Sequence, residues 1–280
     1  METSRQRGDV SLRERLAALY PGSSRRTVKQ WLQAGRVTVN GAVARRGDLP
    51  VGPGDRVHLG APPPPALPPS LRLVHEDADL IVVDKPPGML TIATERERER
   101  TAYHALTRYV AAREGRRVFV VHRLDRETSG LLVFAKSAAA KRALQEQFVA
   151  RTAERTYVAV VEGRMGDEAG TLRSRLVEDR GLRVRPARGG GREAITHYRV
   201  LARGRDATLV ELRLETGRRG QIRVQLAALG HPVVGDVAHG SRRDPLRRLC
   251  LHATRLGFTH PRGGVARFES AAPAAFRRLA

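Results

Sequence analysis

Between residues 121 and 132 the chain reads VHRLDRETSGLL, with Asp125 at the centre of the run and Arg123 and Arg126 close on either side. A carboxylate held in such a loop can act as a nucleophile or as a base. Val118-Phe119-Val120-Val121 before the run and Leu131-Leu132-Val133-Phe134-Ala135 after it read as short apolar strands. A loop held by two strands places side chains accurately, and an ordinary surface turn seldom needs His, two Arg, Asp, Glu, Thr and Ser together. The residues alone also fit a plainer arrangement. Oppositely charged neighbours on a turn are usually solvated, and His122 could be a satisfied histidine near the core.

The elements that would position this loop follow from local pattern. Upstream, residues 71–74 and 80–84 read as two strands, and Lys85-Pro86-Pro87-Gly88 forces a turn whose value is to present the next loop. Residues 94–100 alternate in sign and read as a solvated loop, and Tyr103 to Arg113 as a helix. Downstream, Ser137 can cap a helix through Ala140, Leu144 and Phe148 that ends near Arg151. Residues 155–163 form a strand, and the Gly-Arg-rich stretch 183–192 is expected to be a mobile hairpin tip or loop. Strands at 196–202, 207–214 and 249–258 and a helix at 221–229 complete the pattern. Strands outnumber helices and adjoin one another, which predicts an α+β domain with a mixed, largely antiparallel central sheet and flanking helices.

The Pro-rich stretch 61–70 cannot form a helix or a central strand, so it separates a small unit, 1–60, from a large one, 71–280. In the small unit Ser11 can cap a helix with Leu12, Leu16 and Leu19 on one face. A second helix runs from about Ser24 to Leu32, followed by a hairpin through Asn40-Gly41 and another turn and strand within 52–59. The unit holds 11 basic against 5 acidic residues, and the whole chain of 280 residues carries a formal charge of +22. Such a charge points to a polyanionic partner, with nucleic acid foremost. Only four of the 51 basic residues are lysine, a bias that a GC-rich genome also produces. Cys250 is the single cysteine, which excludes an intrachain disulfide, and no apolar run approaches a membrane span of roughly 20 residues. A cytoplasmic protein is expected, without a membrane association.

The string HRLDRETSGLLVFAK resembles the signature of the RluA-type RNA pseudouridine synthases, and SSRRTVKQWLQAGRVTVNG with the later GDRV is similar to the S4-like RNA-binding domain. The resemblance implies the pseudouridine synthase fold preceded by a small α/β S4-like domain. It also implies an isomerase that breaks the glycosidic bond of a uridine, turns the uracil and rejoins it through carbon 5. In that reaction Asp125 would be the catalytic carboxylate, either as a nucleophile on the ribose or as the base that removes the 2′ proton. Both routes stay open. Arg223, within GRRGQIRV, would face it, lower its pKa and hold it by a bidentate bond. Tyr157 would stack on the flipped uracil while its hydroxyl helps remove the carbon 5 proton. Arg123 would hold the RNA in its flipped form, and Leu251 would floor the uracil pocket. Arg25, Arg26, Lys29 and Arg36 would contact RNA from the S4-like unit.

There are three departures from the family pattern. Arg219 and Gly220 replace the usual Thr-His, Gln225 stands where a histidine is common, and GDVAHG replaces the commoner GDxxYG. They bear on substrate identity and loop geometry. His122, His231, His239, His252 and His260, with Cys250, match no zinc spacing, so neither a metal nor another cofactor is expected. The partner expected is RNA, ribosomal rather than transfer RNA, bound by a monomer without an obligate protein partner. Two other classes compete: a non-catalytic RNA-binding factor on the same fold, which would have lost Asp125, Arg223 or Tyr157, and a basic DNA-binding protein, for which no recognition helix is evident.

Overall fold

The computed structural model describes residues 10–61, 65–179, 181, 184–187 and 189–280. They form two compact units that divide after Pro65. In the first, β1 (Val10–Ser11), α1 (Leu12–Leu19), α2 (Arg25–Gln33), β2 (Val37–Val39), β3 (Ala42–Val43), β4 (Pro50–Val51) and β5 (Val57–Leu59) follow one another. Helix α1 starts where it does because the Ser11 hydroxyl accepts the Glu14 N–H while the Glu14 carboxylate accepts the Ser11 N–H, a reciprocal capping box. Ser24 caps α2 by accepting the Thr27 N–H, without the reciprocal bond. Leu12, Leu16, Val28, Leu32 and Val37 make the core. Leu19, expected on the apolar face, is 49% exposed, because Tyr20 packs against the core just past the helix end. The β2–β3 hairpin turns through Asn40 and Gly41, both at positive φ, as its twist requires.

The second unit contains β6 (Arg72–Glu76), β7 (Leu80–Lys85), α3 (Ala102–Glu114), β8 (Phe119–Val120), β9 (Ser129–Ala135), α4 (Ala138–Val149) and β10 (Glu154–Glu162). These are followed by β11 (Ala169–Glu178), β12 (Val184–Pro186), β13 (Arg192–Arg203), β14 (Ala207–Leu214), α5 (Gln221–Ala228), β15 (Leu251–Thr259), β16 (Val265–Glu269) and α6 (Ala274–Leu279). The strands join in one mixed sheet ordered β12-β11-β13-β14-β10-β15-β9-β7-β6, with β16 beside β15 and β8 beside β9. Among the described residues its pairs are antiparallel except β9 with β15, which run parallel. The fold is therefore α+β with a large central sheet and flanking helices.

Strand β9 is buried along its whole length, and its side chains divide by parity. Leu132 and Phe134 join the larger core with α3, whereas Leu131, Val133 and Ala135 join a second core with α4. Two-sided burial explains why 131–135 is continuously apolar rather than alternating. Gly130 permits the parallel junction. Its φ is +112°, and a Cβ there would lie 2.3 Å from the Ala253 carbonyl oxygen.

Two local differences from expectation arise here. Residues 169–178 form a ten-residue strand that the pattern did not announce, since its many exposed polar positions hide the pairing with β13. The stretch expected to be a mobile tip, 183–192, contributes β12 to the sheet, paired with residues 176–178 of β11; Arg183 and Arg188 lie outside the described residues. Of the Pro-rich spacer, Pro62 to Pro64 lie outside them too, while Leu67 already packs against the larger core.

Candidate active site

The parallel register pairs His252 with Ser129 and Ala253 with Gly130, which brings the end of the Asp125 loop beside Leu251. The loop itself is clamped to the segment after β7. Buried Thr91 donates its hydroxyl to the Leu124 carbonyl at 2.8 Å and accepts the Leu124 N–H at 3.2 Å. On the far side of Asp125 the Arg126 carbonyl accepts from Lys85 Nζ at 3.0 Å and from the Gly88 N–H at 2.9 Å. Lys85 is fully buried and also donates to the Pro86 and Met89 carbonyls, both at 2.9 Å. The Lys-Pro-Pro-Gly turn braces the Arg126 flank of the carboxylate, and Thr91 just beyond it braces the Leu124 flank. His122 is the satisfied histidine of the plainer reading: its Nε2 accepts the Val133 N–H at 3.3 Å, and burial followed by the charge of Arg155 pushes it down to about 3.

Arg223, on the first turn of α5, faces this loop with Nη1 4.0 Å from Asp125 Oδ2. The bidentate bond expected between the two is made elsewhere. Arg223 Nε and Nη2 each donate to Asp236 at 2.6 Å, so the fork belongs to Asp236 and a single edge is left toward Asp125. Asp236 is buried, and its Oδ1 also meets His239 Nδ1 at 2.9 Å. Burial, the largest single influence on each, lowers the Arg223 pKa and raises that of Asp236, but their mutual bond and the neighbouring charges together outweigh it: the guanidinium ends above its ordinary value and the carboxyl below. Sequence reading missed Asp236 in this role, although it is the acid of the GDVAHG segment.

Asp125, Arg123, Tyr157, Arg223 and Leu251 all line one cleft of about 980 Å³. Tyr157 enters it from β10 and is nearly buried, and desolvation pushes its hydroxyl up to about 12 despite the nearby Arg155, so it stays protonated at neutral pH. Arg123 is exposed at the cleft, and Leu251 is 3% exposed. A carboxylate, a guanidinium held charged and a protonated phenol around one cavity can perform nucleophilic or general-base chemistry on a flat, uncharged ring and its sugar.

Residues 79–228 match the family described as RNA pseudouridylate synthase, and residues 14–57 match the S4 domain. The chain belongs to the RNA pseudouridylate synthase family. It is an RluA-type synthase with an N-terminal S4-like domain, and hence an isomerase. It is 38% identical over 270 residues to the uncharacterized RNA pseudouridine synthase YlyB of Bacillus subtilis, covering 92% of this chain and 89% of the relative. It is 36% identical over 279 residues to the ribosomal large subunit pseudouridine synthase D of Yersinia pestis, covering 91% and 84%. Among solved structures, human RNA pseudouridylate synthase domain containing 1 superposes with a TM-score of 0.61 at 26% identity, covering 72% of this chain and 84% of that one.

Two of the departures from the family pattern, Gln225 and the Arg219-Gly220 pair, have local explanations in this synthase. Gln225 is buried; it accepts the Thr196 hydroxyl at 2.6 Å, and the two hydrogens of its amide nitrogen are shared among the Leu172 carbonyl, the Ser174 hydroxyl and the Ala194 carbonyl. Gly220 stands at the start of α5 with φ +58°, and Arg219 pairs with Glu178 of β11 at 2.7 Å. Neither change touches the Asp125–Arg223–Asp236 arrangement. In the S4-like unit Arg25, Arg26 and Lys29 are exposed, whereas Arg36 is half-buried, donating to the Gly60 carbonyl at 3.0 Å and lying over Trp31. Asp77, Asp79 and His260 bring their ligand atoms within 4.8 Å of one another, a grouping that linear spacing conceals. His75 and His260 both bond Asp77, and Arg262 bonds Asp79.

Lys85 yields a pH test of the brace. Burial pushes its ammonium down to about 7, against the upward pull of Glu127 and then Asp125. An unfolded chain keeps the proton up to about 10.5. Between these values the unfolded state binds more protons, so this group makes stability rise with pH, by at most about 1.4 kcal/mol per unit, and contributes no slope below about 7. Lys85→Met should lose that rise and leave three carbonyls without their donor, a cost on the order of 3 kcal/mol. Urea unfolding of parent and variant near pH 6.5 and pH 9 measures both; parallel pH profiles would refute the assignment.

Proposed function

We infer that this synthase isomerises specific uridines of large-subunit ribosomal RNA, with Asp125 acting on the ribose of a uridine extruded into the cleft. The observation that carries the reading is the convergence of Asp125, Tyr157 and Arg223, from three distant stretches, on one cavity. In this scheme Asp125 attacks the ribose or removes its 2′ proton. Arg223, held by Asp236, presents its remaining edge to the carboxylate. The Tyr157 ring stacks on the uracil and Leu251 floors it, while Arg123 fills the vacated stack or binds a phosphate. The ribosomal preference rests on relatives whose names state that substrate, such as the Yersinia pestis enzyme, and on the S4-like unit. Mapping pseudouridine across total RNA from cells with and without the gene tests it: sites lost from transfer RNA alone would overturn the ribosomal assignment.

Arg25 and Lys29 stand four apart on α2, where like charges repel, and no acidic residue occupies the first turn. An approaching phosphate would relieve both. Removing residues 1–65 is therefore expected to weaken RNA binding and lower the slope of log affinity against log salt, by roughly 0.7–0.9 for each phosphate that the shortened chain no longer neutralises. Short substrates at high concentration should still be converted, since the second unit has its own cores. Filter binding across a salt series measures the slope, and an unchanged slope would remove the unit as an RNA anchor.

A further inference from the structure

Arg155 lines the cleft from β10, two residues before Tyr157, and is only 8% exposed. Its Nη2 donates to the Glu215 carbonyl at 3.1 Å, but its buried Nε has no hydrogen-bond partner. It makes no ion pair among the described residues. The Glu215 carboxylate beside it is taken by Arg151 at 2.9 Å and His197 at 3.3 Å. The aromatic wall offers no anion either: the guanidinium lies 5.5 Å from the Phe148 ring, which stacks on His122 at 4.5 Å. The space is kept for it. A Cβ at Gly217 would stand 2.4 Å from Arg155 Nη1, so the glycine of the GRRGQIRV segment leaves room for this side chain.

A buried guanidinium without a counter-charge is unfavourable in the free protein, and an anion entering the cleft would meet it already stripped of water. A neutral carbonyl would satisfy a hydrogen bond but not the charge. About 7 Å along the strand from Tyr157, Arg155 lies beyond the ring that a stacked base covers. We propose that Arg155 binds a phosphodiester oxygen of the RNA strand adjoining the extruded uridine and thereby sets the depth to which the nucleotide enters. It is a binding residue, not a participant in the bond changes. The proposal rests on the cleft being the uridine site.

The test is a cycle between residue 155 and single phosphates. Short RNA substrates carry one neutral methylphosphonate at each position flanking the target uridine. Affinity is measured in the Asp125→Asn background, with and without Arg155→Met. At one position, neutralising the phosphate should weaken binding about tenfold when Arg155 is present and leave Arg155→Met unaffected. The salt slope of Arg155→Met should fall by about 0.7–0.9. Losses that simply multiply at every position, with the salt slope unchanged, would overturn the proposal and leave Arg155 to the base or to the protein wall. Should Arg155→Met not fold, Arg155→Lys carries the same cycle, with a smaller coupling expected at the same phosphate and multiplicative losses again decisive against it. Failure of the underlying reading looks different: Asp125→Asn would then retain turnover.

Discussion

Asp125→Asn is expected to form pseudouridine at least on the order of 10³-fold more slowly than the parent while binding RNA within about threefold of it. The substitution keeps the size of the side chain and removes the group proposed to attack or deprotonate the ribose. The loop should survive, because it is braced through backbone atoms of Leu124 and Arg126 and not through the carboxylate. Asp125→Ala should behave alike, which guards against activity restored by slow deamidation of the asparagine. Product formation under single-turnover conditions, with binding measured in parallel, decides the matter. A rate within tenfold of the parent would end the assignment of Asp125 as the reacting group.

Asp236→Asn should be nearly as damaging without touching the substrate. The carboxylate takes both arms of the Arg223 fork, and an amide offers one acceptor and an unwanted donor pair in their place. Arg223, mostly buried, is then free to turn its fork onto Asp125, changing a 4.0 Å approach into a direct bond that ties up the carboxylate oxygens proposed to react. Misplacement on that scale costs about 100-fold in turnover. Losing the buried charged pair with Asp236 costs up to about 3 kcal/mol of stability, offset in part by the new bond to Asp125. The acid limb adds a signature. The folded carboxyl of Asp236 lies below its ordinary value, so its contribution is complete above about pH 4 and lost as pH falls through the folded value. Asp236→Asn should therefore lose stability at neutral pH and approach the parent in strong acid. Kinetics and urea unfolding as a function of pH measure both effects; an undisturbed turnover rate would show that Arg223 needs no support from Asp236.

Much of the molecule was legible along the chain because its causes are local. Ser11, Ser24 and Ser137 cap helices through atoms three residues away, Asn40-Gly41 sets a hairpin by its own φ angles, and the continuous apolar run after Gly130 announces a strand buried on both faces. The HRLD run and the charge of the N-terminal unit are likewise written in consecutive residues, and with them came the family and the kind of reaction. What only the tertiary structure decided depends on partners far apart in sequence. Strand β11 is a strand because β13 pairs with it, and its own residues face too much water to say so. The fork of Arg223 could have gone to either of two carboxylates. The parallel pairing of β9 with β15 and the course of the chain after α5 bring Asp236 into bonding distance and hold Asp125 a step further away. Arg155 reads in sequence as one more arginine among many; its burial without a counter-charge exists only once β10, the Glu215 segment and Gly217 close around it. Hydrogen bonds and desolvation act over a few ångströms of space, and chain order does not encode which distant groups will share them.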